Sequence, residues 1–386
     1  MTAPTPHAAA NPDPGSALDP QDAVGLCLAG RISPQVALCR LLLGGADADA
    51  IAAQVEARRP PAPHPRWEAL SGLLHGRGAM LAQLAGEVGR HGGNHAAIAA
   101  PHAAARAAPG AVAGPSETAP SEAVQAAPSA AAVAAFFDSA VAFSPEASVA
   151  LYSLGDPAIL AQATAEIMDW LHRHGCIGPA DGGGGAPLPA VPPADTPASD
   201  APAGAPALGA DVLDLGCGIG RLAIALAPRC RSVLGLDVSA GMVAEARRRC
   251  AAWPAIRIEA TPGTDLDALP AHAFDLVLAV DSMPYLVQVG PDALAAHVRG
   301  AARILRPGGR LAILNLSFGR PVAQDVAELS ALADRHGFAV ETAGERPFAL
   351  WDAAAFLLRR DAAVPAAFAP VASDTVPPAP TRRSAP

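Results

Sequence analysis

Val212-Leu213-Asp214-Leu215-Gly216-Cys217-Gly218-Ile219-Gly220-Arg221 is the stretch on which the fold turns. A short apolar run enters a glycine turn, and helical spacing begins at Arg221. Glycine lets a backbone turn tightly and lets a ligand come close to it. In an open α/β sheet such a turn lies at the carboxyl edge of a strand, where ligands bind. The spacing is D-x-G-x-G-x-G, and Arg221 occupies the third-glycine position of the dinucleotide pattern G-x-G-x-x-G. The next apolar run, Val233-Leu234-Gly235-Leu236-Asp237, ends in an acid that can accept both hydrogen bonds of a ribose diol.

Downstream, short apolar runs alternate with helical periods as far as about residue 360. The spacing predicts strands over 212–215, 233–237, 256–260, 274–280 and 310–316, and helices over 221–228, 240–252, 291–305 and 321–336. Two shorter runs, 339–342 and 349–358, close the series. Strand–helix alternation of this length implies right-handed βαβ units and a mostly parallel sheet. Arg306-Pro307-Gly308-Gly309 reads as a turn that ends the preceding helix.

The rest of the chain divides by texture. Residues 1–19 are Pro/Ala-rich and read as disordered, 20–95 as a small helical region, and 96–131 as a low-complexity linker. Ser33-Pro34 is an N-cap with proline at the first helical position, and Gly44-Gly45 stops that helix. Residues 136–178 form apolar helices, 179–209 a Pro/Gly/Ala-rich flexible insertion, 210–360 the α/β core and 361–386 a disordered tail.

Composition narrows the function. The chain has 386 residues, 27 basic against 36 acidic, and a net charge of −9; every basic residue is Arg. That balance argues against general nucleic-acid binding, which rests on neutralising phosphates. Hydrophobic residues make up 51% of the chain, but much of that is Ala, and no apolar run is long enough to span a bilayer. The first twenty residues lack a basic, apolar leader, so a cytoplasmic location is expected. The six Cys form no CxxC pair, and His91 and His95 flank glycines in a loop-like segment, so no metal site is expected.

Four pieces together resemble the class I S-adenosylmethionine (SAM)-dependent methyltransferase family: DLGCGIGR (214–221), LGLDVSAGMVAEAR (234–247), FDLVLAVDSMPYL (274–286) and RILRPGGRLAILNLS (303–317). The resemblance covers about 210–360, with 136–178 similar to the family's cap helices. It implies a Rossmann-like, doubly wound α/β fold with a seven-stranded sheet of order 3-2-1-4-5-7-6, its last strand antiparallel, preceded by the helical region. It implies SAM as cofactor and transfer of its sulfonium methyl group to an acceptor, most simply a small molecule, by in-line displacement. By the same resemblance Gly216, Cys217 and Gly218 lie against the methionine part of SAM, and Asp214 orients that loop and approaches the ammonium. Asp237 holds the ribose hydroxyls, while Val238 and Met242 pack on the adenine or ribose edge. Asp265 meets the adenine amine with the Leu266 amide on the ring; Asp267 is the competing acid, and helix capping is the plain alternative. Asp281 orients the cofactor or serves as general base, and Tyr285 flanks the acceptor. Tyr152, in a polar break between helices, is placed as part of a lid, although Asp156-Pro157 there also reads as an ordinary N-cap.

Ser282-Met283-Pro284-Tyr285 is similar to the loop of amino-group methyltransferases but lacks its first proline, which leaves protein or other amino-group N-methylation as an alternative. A SAM-binding domain without catalysis is a further one. An NAD-dependent oxidoreductase shares the glycine turn and Asp237 but fails at Arg221. The N-terminal helices are expected either to associate with a partner or second copy or to pack on the core.

Overall fold

The computed structural model describes residues 22–90, 128–178, 209–318 and 320–361. The stretch read as a disordered start, most of the linker and of the insertion, nearly all of the tail, and His91 and His95 lie outside the described residues.

Strands β1 (Ala210–Leu215), β2 (Cys230–Asp237), β3 (Ile256–Ala260), β4 (Phe274–Val280), β5 (Leu305–Leu314), β6 (Phe338–Glu345) and β7 (Ala355–Arg360) form one sheet of order β3-β2-β1-β4-β5-β7-β6. The first five pair in parallel, and β7 is antiparallel to both β5 and β6. This is the order implied by the resemblance. Val212, Leu276, Leu278, Ala312 and Leu357 feed one core; Leu213, Val277, Leu311, Ile313 and Phe356 feed the other. Alternation of that kind buries both faces, as a parallel sheet requires.

Residues 306–309 do not simply end a helix. Leu305 already pairs with Phe274, and the next partners are Arg310 and Leu276, so 306–309 bulge out of β5 between them. Gly308 takes a φ of 80° in that bulge, and a Cβ on Gly309 would lie 2.9 Å from the Arg306 carbonyl oxygen. The glycines permit a close backbone fold that other residues resist.

The second face carries α11 (Pro291–Ile304) and α12 (Val322–His336), through Leu294, Val298, Ile304, Leu329 and Ala333. The first face carries more chain. Helices α1 (Ala23–Leu28), α2 (Pro34–Leu43), α3 (Ala48–Ala57) and α4 (Pro65–Arg90) share one core cluster with α7 (Pro157–Arg173), α8 (Arg221–Leu226), α9 (Ala240–Cys250) and the sheet. Ser33 Oγ accepts from the Val36 N–H, capping α2 as its sequence predicts, and donates to the Leu350 carbonyl at 2.7 Å. Arg40 pairs with Asp352 at 2.5 Å, and Arg77 with Asp156. The N-terminal helices therefore pack on the α/β domain rather than standing apart from it.

Two more helices, α5 (Ala130–Phe143) and α6 (Pro145–Val149), cross the carboxyl edge of the sheet. The first begins six residues before 136, because Ser129 caps it by accepting from the Ala132 N–H. Asp138 fastens α5 to the start of α9: its Oδ1 accepts from Ser239 Oγ at 2.6 Å and from the Gly241 N–H at 2.8 Å. Arg249 fastens α9 to α6 through Glu146 at 2.9 Å. Asp138→Ala removes the first fastening and leaves two donors short of a partner. Such a loss costs about 1–2 kcal/mol. Thermal unfolding should move down by roughly 2–4 °C. An unchanged midpoint would show that this contact is replaceable.

Candidate active site

The carboxyl ends of β1, β2 and β4 open into one cleft. Its wall contains Leu215, Gly216, Cys217, Gly218, Asp237, Val238, Met242, Asp281, Ser282 and Tyr285. Eight residues expected at a site from the sequence are thus brought together: Gly216, Cys217, Gly218, Asp237, Val238, Met242, Asp281 and Tyr285.

The glycine turn is shaped by its neighbours on both sides. Gly216 has φ 75° and Gly218 φ 53°, in the left-handed region. A Cβ on Gly216 would lie 2.5 Å from Ser282 Cβ, and one on Gly218 would lie 2.5 Å from Val149 Cγ1 of α6. The turn is therefore held between the β4 end and the cap, with its backbone bare toward the cleft. Asp237 braces it: Oδ2 accepts from the Gly218 N–H at 2.9 Å, and Oδ1 from the Ser239 N–H at 3.0 Å. Two of the roughly four acceptor positions of a carboxylate are used, so two remain. Burial raises the Asp237 pKa, against the backbone hydrogen bonds.

Asp214 lies beneath the turn and is 1% exposed. Its Oδ2 is buried without a hydrogen-bond partner. Burial pushes its pKa up to about 7, with the Arg221 charge acting against the rise and Asp237 adding to it. A buried carboxyl with an unused oxygen beside a bare glycine turn is a place that lacks a cation or donor.

Asp281, at the end of β4, takes a φ of 54°. Its Oδ1 accepts from Asn315 Nδ2 at 2.8 Å. Burial raises its pKa to about 7, opposed first by the Asn315 hydrogen bond and then by Arg221. Tyr285 packs edge-on between Phe137, at 5.0 Å, and Phe318, at 5.5 Å, and burial raises its pKa. Residues 282–285 do not form an extended loop: helix α10 (Met283–Val289) begins there, with Pro284 in its first turn.

Other expected residues sit elsewhere. Asp265 Oδ1 accepts from the Asp267 N–H at 2.9 Å, the local cap that its sequence also allows. Asp267 lies 3.7 Å from Arg299, at the surface. Leu266 puts its side chain in the second core, against Gly300. From that neighbourhood Thr261 and Gly263 line the cleft instead. Tyr152 stacks on Trp351, centroids 5.7 Å apart, and is 5% exposed. Sequence reasoning also passed over Arg221, read only as a missing glycine. It is 4% exposed, lines the cleft, and donates from Nη1 to Thr164 Oγ1 at 3.0 Å. A cation directly after a glycine turn was its signal. Phe137 and Val149 have no comparable local signature.

Among the described residues no cluster of His, Cys, Asp or Glu could hold a metal ion, and no helix is long and apolar enough to cross a membrane.

Comparison with known proteins agrees with this geometry. Residues 212–309 match a family described as a methyltransferase domain. Over 112 residues the chain is 34% identical to the demethylmenaquinone methyltransferase of Tropheryma whipplei, which covers 29% of this chain and 44% of that protein. Over 163 residues it is 36% identical to the trans-aconitate 2-methyltransferase of Methylobacterium nodulans, covering 41% and 54%. A solved S-adenosylmethionine dependent methyltransferase from Mesorhizobium loti aligns at 26% identity over 39% of this chain and 91% of its own, with a TM-score of 0.31. The chain spans about half the length, or less, of these two curated relatives. Residues 212–309 thus match the methyltransferase-domain family, and the sheet has the strand order of the Rossmann-like S-adenosylmethionine-dependent methyltransferase fold.

Proposed function

We propose that the chain transfers the methyl group of SAM to a small-molecule acceptor by in-line displacement. The observation that carries this reading is the single cleft in which the glycine turn, Asp237 and Asp281 meet at the carboxyl edge of the sheet. The residues present suit the cofactor. The unpartnered Asp214 Oδ2 takes its ammonium, the bare backbone of 216–218 admits its methionine part, and the two unused acceptor positions of Asp237 receive the ribose hydroxyls. Val238 and Met242 supply an apolar wall for the adenine or ribose edge. For the adenine amine, Thr261 and Gly263 on the cleft are favoured over Asp265 and Leu266.

When bound, the cofactor supplies a methyl group already activated on a sulfonium. The chain then has to position two reactants and exclude water, which can lower a barrier by several kcal/mol. Asp281, half ionised near neutral pH, is suited to take a proton from the acceptor. Tyr285, kept neutral by burial, offers a hydroxyl beside it. The names of both curated relatives refer to small-molecule acceptors, which supports that class here. Nothing in the helical start of α10 favours an amino-group loop.

Calorimetric titration of the full chain with SAM and with NAD tests the cofactor. SAM should bind and NAD should not; NAD binding without SAM binding overturns the reading. Label from methyl-labelled SAM should then appear in small molecules of a cell extract, and label confined to protein would favour the alternative acceptor class.

A further inference from the structure

One buried polar group on the cleft wall has no part in the site described so far. His297, on α11, lines the cleft and is 1% exposed. Helix α11 is stitched to the segment that follows β3. A Cβ on Gly300 would lie 2.9 Å from Leu266 Cβ, and Arg303 Nη2 donates to the Leu266 and Leu269 carbonyls at 2.8 and 2.7 Å. Residues three apart share a helix face, so His297 lies on the same side as Gly300. The helix runs down to the start of β5 at Leu305, which puts His297 one turn nearer the carboxyl edge of the sheet. It therefore flanks the turn at 261–266, with Asp265 as the charge it meets there.

The ring's tautomer follows from its own hydrogen bond. Nδ1 lies 2.8 Å from the Ala293 carbonyl oxygen, which can only accept, so Nδ1 carries the proton. Nε2, across the ring, is then an acceptor, and no described residue donates to it. Burial lowers the His297 pKa, against the Ala293 contact and the Asp265 charge, so the ring stays neutral near pH 7 and keeps that lone pair free. A buried acceptor of this kind calls for a donor to complete it. The order of the sheet says which part of the cofactor supplies one. The glycine turn follows β1, Asp237 ends β2, and the Asp237 carbonyl accepts from the Thr261 N–H, 2.9 Å, just beyond β3. In SAM the methionine part and the base leave the ribose on opposite sides. With methionine over β1 and ribose on Asp237, the base lies toward Thr261, Gly263 and His297.

We propose that His297 Nε2 accepts a hydrogen bond from the exocyclic amine of the cofactor's adenine, and so selects adenine over hypoxanthine. The proposal rests on the methyltransferase reading and adds to it the side chain that reads the base. The amine carries two N–H donors. The turn at Thr261 and Gly263 takes one, and Nε2 takes the other. Asp265 supplies no substitute, because its Oδ1 is spent on the Asp267 N–H. Hypoxanthine presents a carbonyl oxygen where adenine has the amine. Two lone pairs then face each other, or the ring moves its proton to Nε2 and gives up the Ala293 contact. Either way one buried polar group goes unpaired, which is how a hydrogen-bonding site rejects a close analogue.

The test compares S-adenosylhomocysteine with S-inosylhomocysteine, its deaminated form, by calorimetric titration of the full chain. Failure of S-adenosylhomocysteine to bind counts against the methyltransferase reading itself. Once it binds, S-inosylhomocysteine should bind about tenfold more weakly or worse. His297→Leu fills the same buried place without an acceptor. It should weaken S-adenosylhomocysteine about tenfold and leave S-inosylhomocysteine within about threefold, so the preference collapses. His297→Gln keeps an acceptor for the amine and can turn its own NH2 toward a carbonyl, so it should bind the two compounds almost equally. A readout on the parent chain stands even where a variant fails to fold. With isotopically labelled histidine, the nitrogen NMR signal of His297 Nε2 should move to that of a hydrogen-bonded acceptor when S-adenosylhomocysteine binds. Equal affinity of the parent for the two compounds, a preference that survives in folded His297→Leu, or an Nε2 signal unmoved by S-adenosylhomocysteine would each overturn the role.

Discussion

Asp237→Ala is expected to weaken SAM binding by about a hundredfold or more, while the protein stays folded. Hydrogen bonds to an ionised carboxylate are worth about 1.5–3 kcal/mol each, and two ribose hydroxyls lose theirs. At about 1.4 kcal/mol per tenfold in affinity, the sum reaches two orders of magnitude. The variant also frees the Gly218 and Ser239 N–H groups, so the glycine turn loses its brace. Stability should respond less than binding does. Burial already raises the Asp237 pKa, which means that the folded chain bears a cost for this charge, and removing it offsets part of the two lost backbone contacts. Calorimetry with SAM, paired with thermal unfolding of the cofactor-free chain, separates the two effects. An affinity within a few-fold of the parent would remove Asp237 from the ribose.

The second large effect is on pH. Asp214 and Asp281 both have folded pKa values of about 7 against an ordinary 3.8, each raised first by burial. A carboxyl raised in the folded state adds stability that is fully present below its unfolded pKa and is lost as pH climbs through the folded value. The cofactor-free chain should therefore become less stable between about pH 4 and pH 7. Cofactor affinity runs the other way. On the role proposed for Asp214, its ionised form attracts the ammonium, so affinity should rise with pH as Asp214 ionises and level off above about 7. Binding near pH 6 then releases a proton. Titrations in phosphate and in Bis-Tris, which both buffer near pH 6 but differ in ionisation enthalpy, count that proton directly. Equal apparent enthalpies in the two buffers at pH 6 would mean that Asp214 is already ionised without the cofactor.

What could be read from the chain follows from where the information sits. Gly216, Gly218 and Asp237 were legible because residue type alone forces their roles: left-handed backbone wants glycine, and a strand that ends in an acid presents that acid at the carboxyl edge. The helix starts at Ser33 and Asp156 were legible for the same local reason. Residues whose place comes from packing were not. Val149 and Phe137 line the cleft from cap helices that Asp138 and Glu146 fasten to α9. Asp265 had the right chemistry and a plausible spacing, but its own turn offered the Asp267 N–H, and a local cap needs no ligand to satisfy it. Residues 306–309 carried an unambiguous turn signal whose consequence, a bulge within β5, depended on the partner strand. The N-terminal helices announced themselves by periodicity and caps, yet nothing in an apolar stripe says which surface it covers.

That surface gives the N-terminal helices a role that their distance along the chain conceals. Leu38, Leu42 and Leu70 belong to the same cluster as Val212, Leu278 and Trp170, so the sheet face beneath the site is sealed by chain from both sides of it in sequence. Such a shared interior should melt as one cooperative unit, without a separate transition for residues 22–90. A cavity opened at Leu42 should therefore lower the stability of the whole shared core, by about 2–5 kcal/mol for Leu42→Ala, although Leu42 does not line the cleft.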